Sequence, residues 1–458
     1  MKFITNTHDL EKYLEIKIKK YSSFKNISID TRKIKKNSLF FAIKGDNFNG
    51  NDFAEDALKN GALIAFVDDK KFINNTNKRI IYVKDTIQTL KKICRNIIKD
   101  YDGKVIAITG SNGKTTTTNI IAKTLDHSSS TIKNFNNQIG LPLSILNSSR
   151  ESKYLVYEIG ASKLKDIDYL SKILNPHIGI ITNIGHSHLE HLKNIEGVLK
   201  VKSEIISNIK KNGCLIVPNC NQKHLAYWRS IRDDIDVITF GLTNSADFYP
   251  SNIKLTSIGV DFCIESKYLK NNIQISSNLE GKHNVMNILA SCAAHYYLKK
   301  DLNEFSKEIN SLKFVVSRLK KSKWINNSTL IDDTYNANPD STKKSIDLLS
   351  NYNGKTYLIL GDMLELGRYK RSLHKEVGQY AYTKKIDTFI GFGELTKYSV
   401  DGFGKKGIFF DQEDELKEYL IRNISKNDVI LIKGSLINLS MLIPLEPFIK
   451  ITSFFDIF

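Results

Sequence analysis

Short apolar runs rich in β-branched residues alternate with longer amphipathic stretches along most of this chain. The run Lys104–Thr109 is followed by a glycine-containing loop and then by a helix-compatible stretch from Thr115 to Leu125. The last third repeats the alternation, with strand-like runs such as Thr329–Asp333 and Gly407–Phe410. Strands that alternate with helices are typical of parallel sheets covered on both faces. The pattern therefore predicts an α/β protein.

The pattern changes along the chain in a way that predicts three domains. Residues 1–84 mix short strands with one helical stretch and predict a small α/β domain. Residues 85–313 predict a central, mostly parallel sheet built around a phosphate-binding loop, and residues 247–280 predict an antiparallel addition to it. Residues 314–458 predict a doubly wound, Rossmann-like domain.

Composition narrows the function classes. The 458 residues carry a net charge of +18. The lysines are scattered along the chain and accompanied by abundant Asn and Ile, so we predict no nucleic-acid partner. The sequence lacks an apolar run of about 18 residues, which predicts no stable membrane insertion. The chain has five cysteines without C-x-x-C spacing. Reduced thiols and a charged N-terminal stretch predict a cytoplasmic protein, which we expect to be a monomer.

A candidate phosphate-binding loop follows the first strand of the central segment. It consists of Gly110, Ser111, Asn112, Gly113, Lys114, Thr115 and Thr116. The two glycines allow backbone amides to approach phosphate oxygens, and Lys114 supplies a cation. Thr115 and Thr116 offer hydroxyls for Mg²⁺, and the following helix adds its positive end. Strand, loop and helix form the context that such a loop requires, although Ile108 stands where the longer motif has its first Gly.

Further polar residues are expected on the same rim. Glu158 and His188 each follow a predicted strand, and ligands of open α/β sheets bind beyond the carboxyl ends of strands. A Glu oxygen is a natural Mg²⁺ ligand, and His188 could complete the set where phosphates supply the other ligands. His186, taken alone, is more often a polar surface residue. Lys202 lies in a helical stretch and, taken alone, would be a solvated face residue.

At this point the chain resembles the Mur ligases over nearly its whole length. The resemblance rests on stretches that occur in the family's order: 28–32, 41–45, 110–116, 134–142, 182–185, 281–287, 332–339, 361–367 and 433–435. The stretches Asn136–Gly140 and Gly361–Gly367 are similar to those of members that add D-alanyl-D-alanine. The resemblance implies an ATP-dependent amide ligase that joins D-alanyl-D-alanine to UDP-N-acetylmuramoyl-tripeptide through an acyl phosphate. It also implies ATP, two Mg²⁺ ions and a carbamylated Lys202.

The resemblance implies a role for each matching residue. In the uridine-binding first domain, it assigns the uridine diphosphate to Ser28, Asp30, Thr31, Arg32, Lys44 and Gly45. It assigns the muramoyl-peptide side to Asn136 and Asn137. It assigns Mg²⁺ to Thr115, Glu158, His188 and Lys202. It assigns the adenine and the rest of ATP to Asn284, Asn287, Arg318, Asp333, Tyr335 and Asn338.

The chain departs from the family pattern at several positions. Ser317 and Lys165 stand where Gly is common, Leu436 stands where Arg is common, and His191–Lys193 replaces a frequent Phe-Gly pair. Three alternatives remain at this point: a related Mur ligase that adds a different amino acid, a non-catalytic nucleotide-binding relative, and a basic nucleic-acid-binding ATPase.

Overall fold

A computed structural model describes residues 2–18, 22–45, 48–73, 78–256, 259–312, 320–334 and 336–434 of the protein. The described residues form two compact units. The first unit draws on Met1–Asn183, Lys200–Tyr249 and Asn287–Phe305, and the second on Ile184–Leu199, Pro250–Met286 and Ser306–Phe458. Among the described residues, no helix has both the length and the apolar character that a bilayer crossing needs.

The N-terminal part of the first unit holds a four-stranded parallel sheet in the order β1-β2-β3-β4. Its strands are Asn26–Ser28 (β1), Ser38–Phe41 (β2), Ala62–Val67 (β3) and Ile80–Tyr82 (β4). The α-helices are Thr7–Leu14 (α1), Ala54–Lys59 (α2) and Thr86–Lys99 (α3). The apolar side chains of β2 and β3 are buried against α2, which forms the local core.

The central segment begins with strands that alternate with helices. Its strands are Lys104–Thr109 (β5), Ser128–Ser130 (β6), Tyr154–Glu158 (β7), Ile178–Ile181 (β8), Cys214–Pro218 (β9), Asp236–Phe240 (β10), Phe248–Thr256 (β11), Gly259–Ser266 (β12) and Ile273–Ser277 (β13). Its helices are Lys114–Thr124 (α4), Gly140–Asn147 (α5), Asp166–Leu174 (α6), Leu189–Leu192 (α7), Ile195–Ser203 (α8), Gln222–Ile231 (α9), Lys282–Tyr297 (α10) and Leu302–Ser311 (α11).

Within the first unit these strands form a parallel sheet with β5 in its interior. The order is β10-β9-β8-β5-β7-β6, and the first residue of β11 pairs beside β10, also in parallel. In the second unit β12 and β13 pair in antiparallel fashion. The mostly parallel central sheet is thus confirmed. The antiparallel addition predicted for residues 247–280 holds for β12 and β13, whereas β11 begins in parallel with β10.

The C-terminal part of the second unit contains a six-stranded sheet in the order β14-β15-β19-β16-β17-β18. Its strands are Lys320–Lys323 (β14), Thr329–Asp333 (β15), Thr356–Gly361 (β16), Thr388–Phe392 (β17), Gly407–Phe410 (β18) and Val429–Lys433 (β19). Its helices are Pro339–Leu349 (α12), Lys370–Thr383 (α13), Thr396–Phe403 (α14) and Glu413–Asn423 (α15). Only the edge pair β14–β15 is antiparallel among these described strands.

Local sequence explains where α12 starts. The Asn338 side chain accepts the backbone N–H of Ser341, and Ser341 in turn bonds back to Asn338, which makes a capping box. Pro339 occupies the first helical position, where a backbone N–H would have no partner within the helix, so its absence costs no hydrogen bond. The helix therefore begins a few residues after β15, and its first turn lies close to the carboxyl end of that strand.

Candidate functional site

The phosphate loop connects β5 to α4, as the sequence predicts, and its two glycines cannot be replaced without a clash. Gly110 has φ +144° and Gly113 has φ +84°, and residues other than glycine rarely adopt such backbone angles. A Cβ at Gly110 would lie 2.0 Å from the Thr182 hydroxyl, and one at Gly113 would lie 2.5 Å from Asn287 Oδ1. The backbone of the loop is therefore fitted closely between β8 and α10.

Asn183, which follows β8, holds the loop in shape. Its carbonyl accepts the N–H of Ser111 at 3.1 Å, and its Oδ1 accepts the N–H of Asn112 at 2.9 Å. Its Nδ2 donates to the Asn112 carbonyl at 3.1 Å. Sequence motifs alone give Asn183 no role, although it lies in the stretch 182–185 that supports the resemblance.

Lys114 and Thr115 begin α4 and point in different directions. The Lys114 ammonium donates to the Gly110 carbonyl at 3.0 Å, so the cation lies over its own loop. The Thr115 hydroxyl donates to Glu158 Oε2 at 2.6 Å. Glu158 ends β7, the neighbour of β5, and its side chain is almost completely buried. Thr116 lies in the first turn of the same helix.

Lys202 is also buried in the first unit, with 1% of its surface exposed. Burial, and next the positive charge of Lys114, lower the pKa of Lys202 to about 7. The charges of Asp166 and Glu204 oppose this shift. Lys202 is therefore a buried amine that is partly neutral. Its helical pattern alone predicted a solvent-exposed residue.

In the second unit, the segment after β8 carries two histidines, and each contacts a carboxylate. His186 Nδ1 lies 3.3 Å from Asp340, whose hydrogen bond raises the pKa of His186. His188 Nδ1 contacts the Glu365 carboxylate, and this contact lowers the pKa of Glu365. Sequence motifs alone give Asp340 and Glu365 no role, because both lie far along the chain from the histidines.

The residues predicted to reach ATP from α10 and beyond are placed as follows. Asn284 and Asn287 are buried on α10, where Asn287 Oδ1 lies 3.4 Å from the Thr117 hydroxyl of α4. Asp333 ends β15, and Asn338 caps α12. The two remaining predictions, Arg318 and Tyr335, lie outside the described residues, as do Ser317 and Leu436.

The residues predicted to bind uridine diphosphate lie at the end of β1, where Ser28 is the last residue, and in the segments that follow β1 and β2. The Asp30 side chain accepts bonds from the backbone and guanidinium of Arg32, and the guanidinium bond lowers the pKa of Asp30. The Ser28 hydroxyl donates to the Asp30 carbonyl at 2.8 Å, and Thr31 starts a short 3₁₀ turn. Lys44 and Gly45 follow β2 in a loop, where the Gly45 N–H donates to the Phe48 carbonyl at 2.9 Å.

The two asparagines predicted to face the muramoyl peptide make internal contacts. Asn136 Nδ2 donates to Glu158 Oε1. Asn137 Oδ1 accepts the N–H groups of Ile139 and Gly140, at 3.1 Å and 2.8 Å, and so starts α5. The substrate role of both residues stays a prediction.

The donor set of the first unit fits a phosphate ester and a hard divalent cation. Loop amides, the ammonium of Lys114 and the end of α4 favour anionic oxygens. The carboxylate of Glu158 and the hydroxyl of Thr115 are oxygen donors of the kind that Mg²⁺ prefers. Fold and site together define a protein with a phosphate-loop nucleotide-binding sheet.

Comparison with protein families identifies the group. The model of the Mur ligase middle domain matches residues 108–295, the Mur ligase, glutamate ligase domain matches residues 317–436, and the catalytic domain of the Mur ligase family matches residues 23–101. The chain belongs to the Mur ligase family. The resemblance stated from the sequence motifs is therefore confirmed.

Individual relatives and solved structures support the same family. The chain is 34% identical to the UDP-N-acetylmuramoyl-tripeptide–D-alanyl-D-alanine ligase of Buchnera aphidicola over 90% of both chains. It is 34% identical to that of Bacillus subtilis over 89% of this chain and 90% of the relative. The solved MurF of Acinetobacter baumannii shares a TM-score of 0.86 at 27% identity, covering 95% of this chain and 97% of that one. The MurF ligase of Thermotoga maritima in complex with ADP gives 0.79 at 28% identity, covering 90% and 94%.

Proposed function

We propose that this protein is an ATP-dependent ligase that adds D-alanyl-D-alanine to UDP-N-acetylmuramoyl-tripeptide. The product is the muramoyl-pentapeptide precursor of peptidoglycan. The observation that carries the proposal is the contact of Thr115 with Glu158, which joins the phosphate loop to a buried carboxylate on the neighbouring strand. The relatives named for this reaction cover about nine-tenths of the chain and support the choice of substrates.

The reaction proceeds in two steps, phosphoryl transfer and amide formation. A carboxylate oxygen of the tripeptide attacks the γ-phosphorus of ATP, the bond from that phosphorus to the bridging oxygen breaks, and ADP leaves. The free amine of D-alanyl-D-alanine then attacks the acyl carbon, loses a proton and expels inorganic phosphate, which leaves an amide. Both reactants of the first step are anions, so the loop amides and Lys114 lower the barrier by stabilising negative charge.

Bound Mg²⁺, which we expect as two ions, supplies further charge neutralisation when present. Glu158 and Thr115 would hold one ion. In the second unit, His188 is also proposed as a metal ligand, and the contact of its Nδ1 with Glu365 would leave Nε2 for that role. Carbamylation would turn Lys202 into an oxygen ligand, and its burial beside Lys114 favours the neutral amine that reacts with carbon dioxide.

The remaining assignments are parts of the same proposal. Asn284, Asn287, Arg318, Asp333, Tyr335 and Asn338 bind the nucleotide. Ser28, Asp30, Thr31, Arg32, Lys44 and Gly45 bind the uridine diphosphate. The domain limits near residues 84 and 313, a monomeric state and a cytoplasmic site of action stay predictions.

The decisive experiment measures ADP formation with UDP-N-acetylmuramoyl-tripeptide, with and without D-alanyl-D-alanine. We expect release that depends on the dipeptide, and a loss of about 100-fold or more in Lys114→Ala, because an electrostatic donor to the transition state is removed. Release that depends on another amino acid would instead indicate a ligase of different specificity. ADP or ATP binding without turnover would indicate a non-catalytic relative, and near-wild-type turnover in Lys114→Ala would contradict the proposed site.

A further inference from the structure

Both oxygens of the buried Glu158 carboxylate are engaged by neutral donors. The Thr115 hydroxyl donates to Oε2 at 2.6 Å, and the Asn136 amide donates to Oε1. A carboxylate offers about four lone-pair sites. Two sites therefore remain for a cation, and the two contacts fix the rotation of the carboxylate that presents them.

Asn136 is itself held in place from several sides. Its backbone N–H donates to the Asn134 carbonyl, and its own carbonyl accepts the N–H of Gly160, both at 2.8 Å. Gly160 has no side chain, and a Cβ there would lie 3.0 Å from Asn136 Oδ1. The Glu158 N–H donates to the Thr131 hydroxyl at 2.8 Å, which anchors the other end of the contact. The Asn136 amide thus meets Glu158 in a fixed orientation.

The neighbouring residue, Asn137, makes different hydrogen bonds. Asn137 Oδ1 is used by the N–H groups at the start of α5, whereas the Asn136 side chain turns to β7. An amide suits this position because it donates a hydrogen bond without adding a positive charge, which would compete with a metal ion for the carboxylate.

We infer that Asn136 is a positioning residue that orients Glu158 for metal binding, so that the loop before α5 is tied to the phosphate loop through one carboxylate. The inference rests on the proposed function, in which Glu158 is a ligand of Mg²⁺. It gives Asn136 a role that does not require contact with the muramoyl peptide.

The test measures Mn²⁺ binding by electron paramagnetic resonance in the presence of ADP. Asn136→Ala should raise the Mn²⁺ dissociation constant about 10-fold or more, because partners that orient a metal ligand typically contribute 10- to 100-fold. Asn136→Gln, which keeps the donor, should restore part of the affinity. Asn423→Ala, which removes an exposed amide from the end of α15, is the matched control and should bind Mn²⁺ as the wild type does.

A double-mutant cycle separates positioning from a general structural role. If Asn136 acts through Glu158, then Asn136→Ala should add little to the loss of Mn²⁺ affinity already caused by Glu158→Gln. Additive losses would overturn the inference. In steady-state assays Asn136→Ala should raise the Mg²⁺ concentration needed for half-maximal rate and leave the KM for UDP-muramoyl-tripeptide within about twofold.

The opposite kinetic pattern is equally informative. A raised tripeptide KM with unchanged Mn²⁺ affinity would make Asn136 a substrate contact and overturn the inference, as would a wild type that binds no Mn²⁺ with ADP. Mn²⁺ binding needs no turnover, so failure of the proposed reaction in the wild type would be recognised separately. Should Asn136→Ala not fold by circular dichroism, the Asn136→Gln variant and its cycle with Glu158→Gln carry the same test.

Discussion

Lys433 and Asp333 form a buried ion pair across two adjacent parallel strands. The two residues face each other in the β15–β19 register, and Lys433 Nζ lies 2.5 Å from Asp333 Oδ2. Only 2% and 7% of the two side chains are exposed. The Ser345 hydroxyl also donates to Asp333, and the Asn336 carbonyl accepts a second bond from Lys433. The carboxylate proposed to reach ATP is therefore held by two neighbouring elements of the second unit, β19 through Lys433 and α12 through Ser345.

Removing the cation from this pair should lower the stability of the folded protein. Lys433→Met leaves the Asp333 carboxylate buried without its counter-charge, and we expect a loss of about 3–5 kcal/mol in the free energy of unfolding. Urea unfolding followed by circular dichroism measures the loss. Lys426→Met, at an exposed position, should change stability by no more than about 0.5 kcal/mol. Equal stability of the two variants would show that the pair contributes nothing.

The carbamate proposed for Lys202 can be tested directly. Protein incubated with ¹³C-labelled bicarbonate should show one protected carbamate resonance by NMR, because the buried amine is shielded from solvent. Lys202→Ala should abolish the resonance. Lys200→Ala, at an exposed position of the same helix, should keep it. A resonance that survives in Lys202→Ala would assign the carbamate to another amine.

Lys193 occupies a strained turn in the stretch His191–Lys193, which stands where a Phe-Gly pair is frequent in the family. Its φ and ψ are +69° and −47°, and the Asn194 N–H donates to the Leu192 carbonyl at 2.8 Å, which is a γ-turn of the rare, strained hand. Lys193→Gly should raise the free energy of unfolding by about 1 kcal/mol, because relief of strain outweighs the entropy lost by glycine. Thermal unfolding measures the gain.

Two controls accompany that measurement. Lys193→Ala keeps the Cβ and should leave the melting temperature nearly unchanged. Lys200→Gly, inside α8, should lower stability by about 1 kcal/mol. A destabilised Lys193→Gly would mean that the lysine side chain stabilises the turn more than its backbone strains it.

His295 should contribute to acid sensitivity. Burial within α10 lowers its pKa to about 4, against about 6.5 in an unfolded chain. Between these values the unfolded chain binds a proton that the folded protein does not, so the free energy of unfolding falls as the pH drops from about 6.5 to about 4.

The effect of His295 can be isolated by substitution. His295→Gln removes the titrating group, so its stability should fall less over this pH range than that of the wild type. The difference should be at most about 3.5 kcal/mol, because one pKa unit corresponds to about 1.4 kcal/mol. Urea unfolding at a series of pH values measures the slopes, and exposed His127→Gln should retain the wild-type slope. Identical slopes in His295→Gln would exclude the buried ring as the cause.

Local sequence determined much of this protein. The apolar run of β5, the glycines after it and the threonine-rich start of α4 lie within a few residues of each other, so they predict the phosphate loop by themselves. The order of parallel strands likewise predicts that Glu158 and the loop share one rim of the sheet, because the carboxyl ends of parallel strands lie at the same edge. The α/β class and the family resemblance follow from the same short stretches.

Only the tertiary structure decided which side chains meet across long separations. Asp333 and Lys433 are 100 positions apart, and the contact from Asn112 to Asn183 spans 71. The family resemblance implied a substrate role for Asn136, whereas the fold turns its amide towards Glu158. The lowered pKa of Lys202 likewise depends on burial, which helical periodicity did not predict. Hydrogen bonds and desolvation depend on distances of a few ångströms, and packing of the whole chain sets those distances.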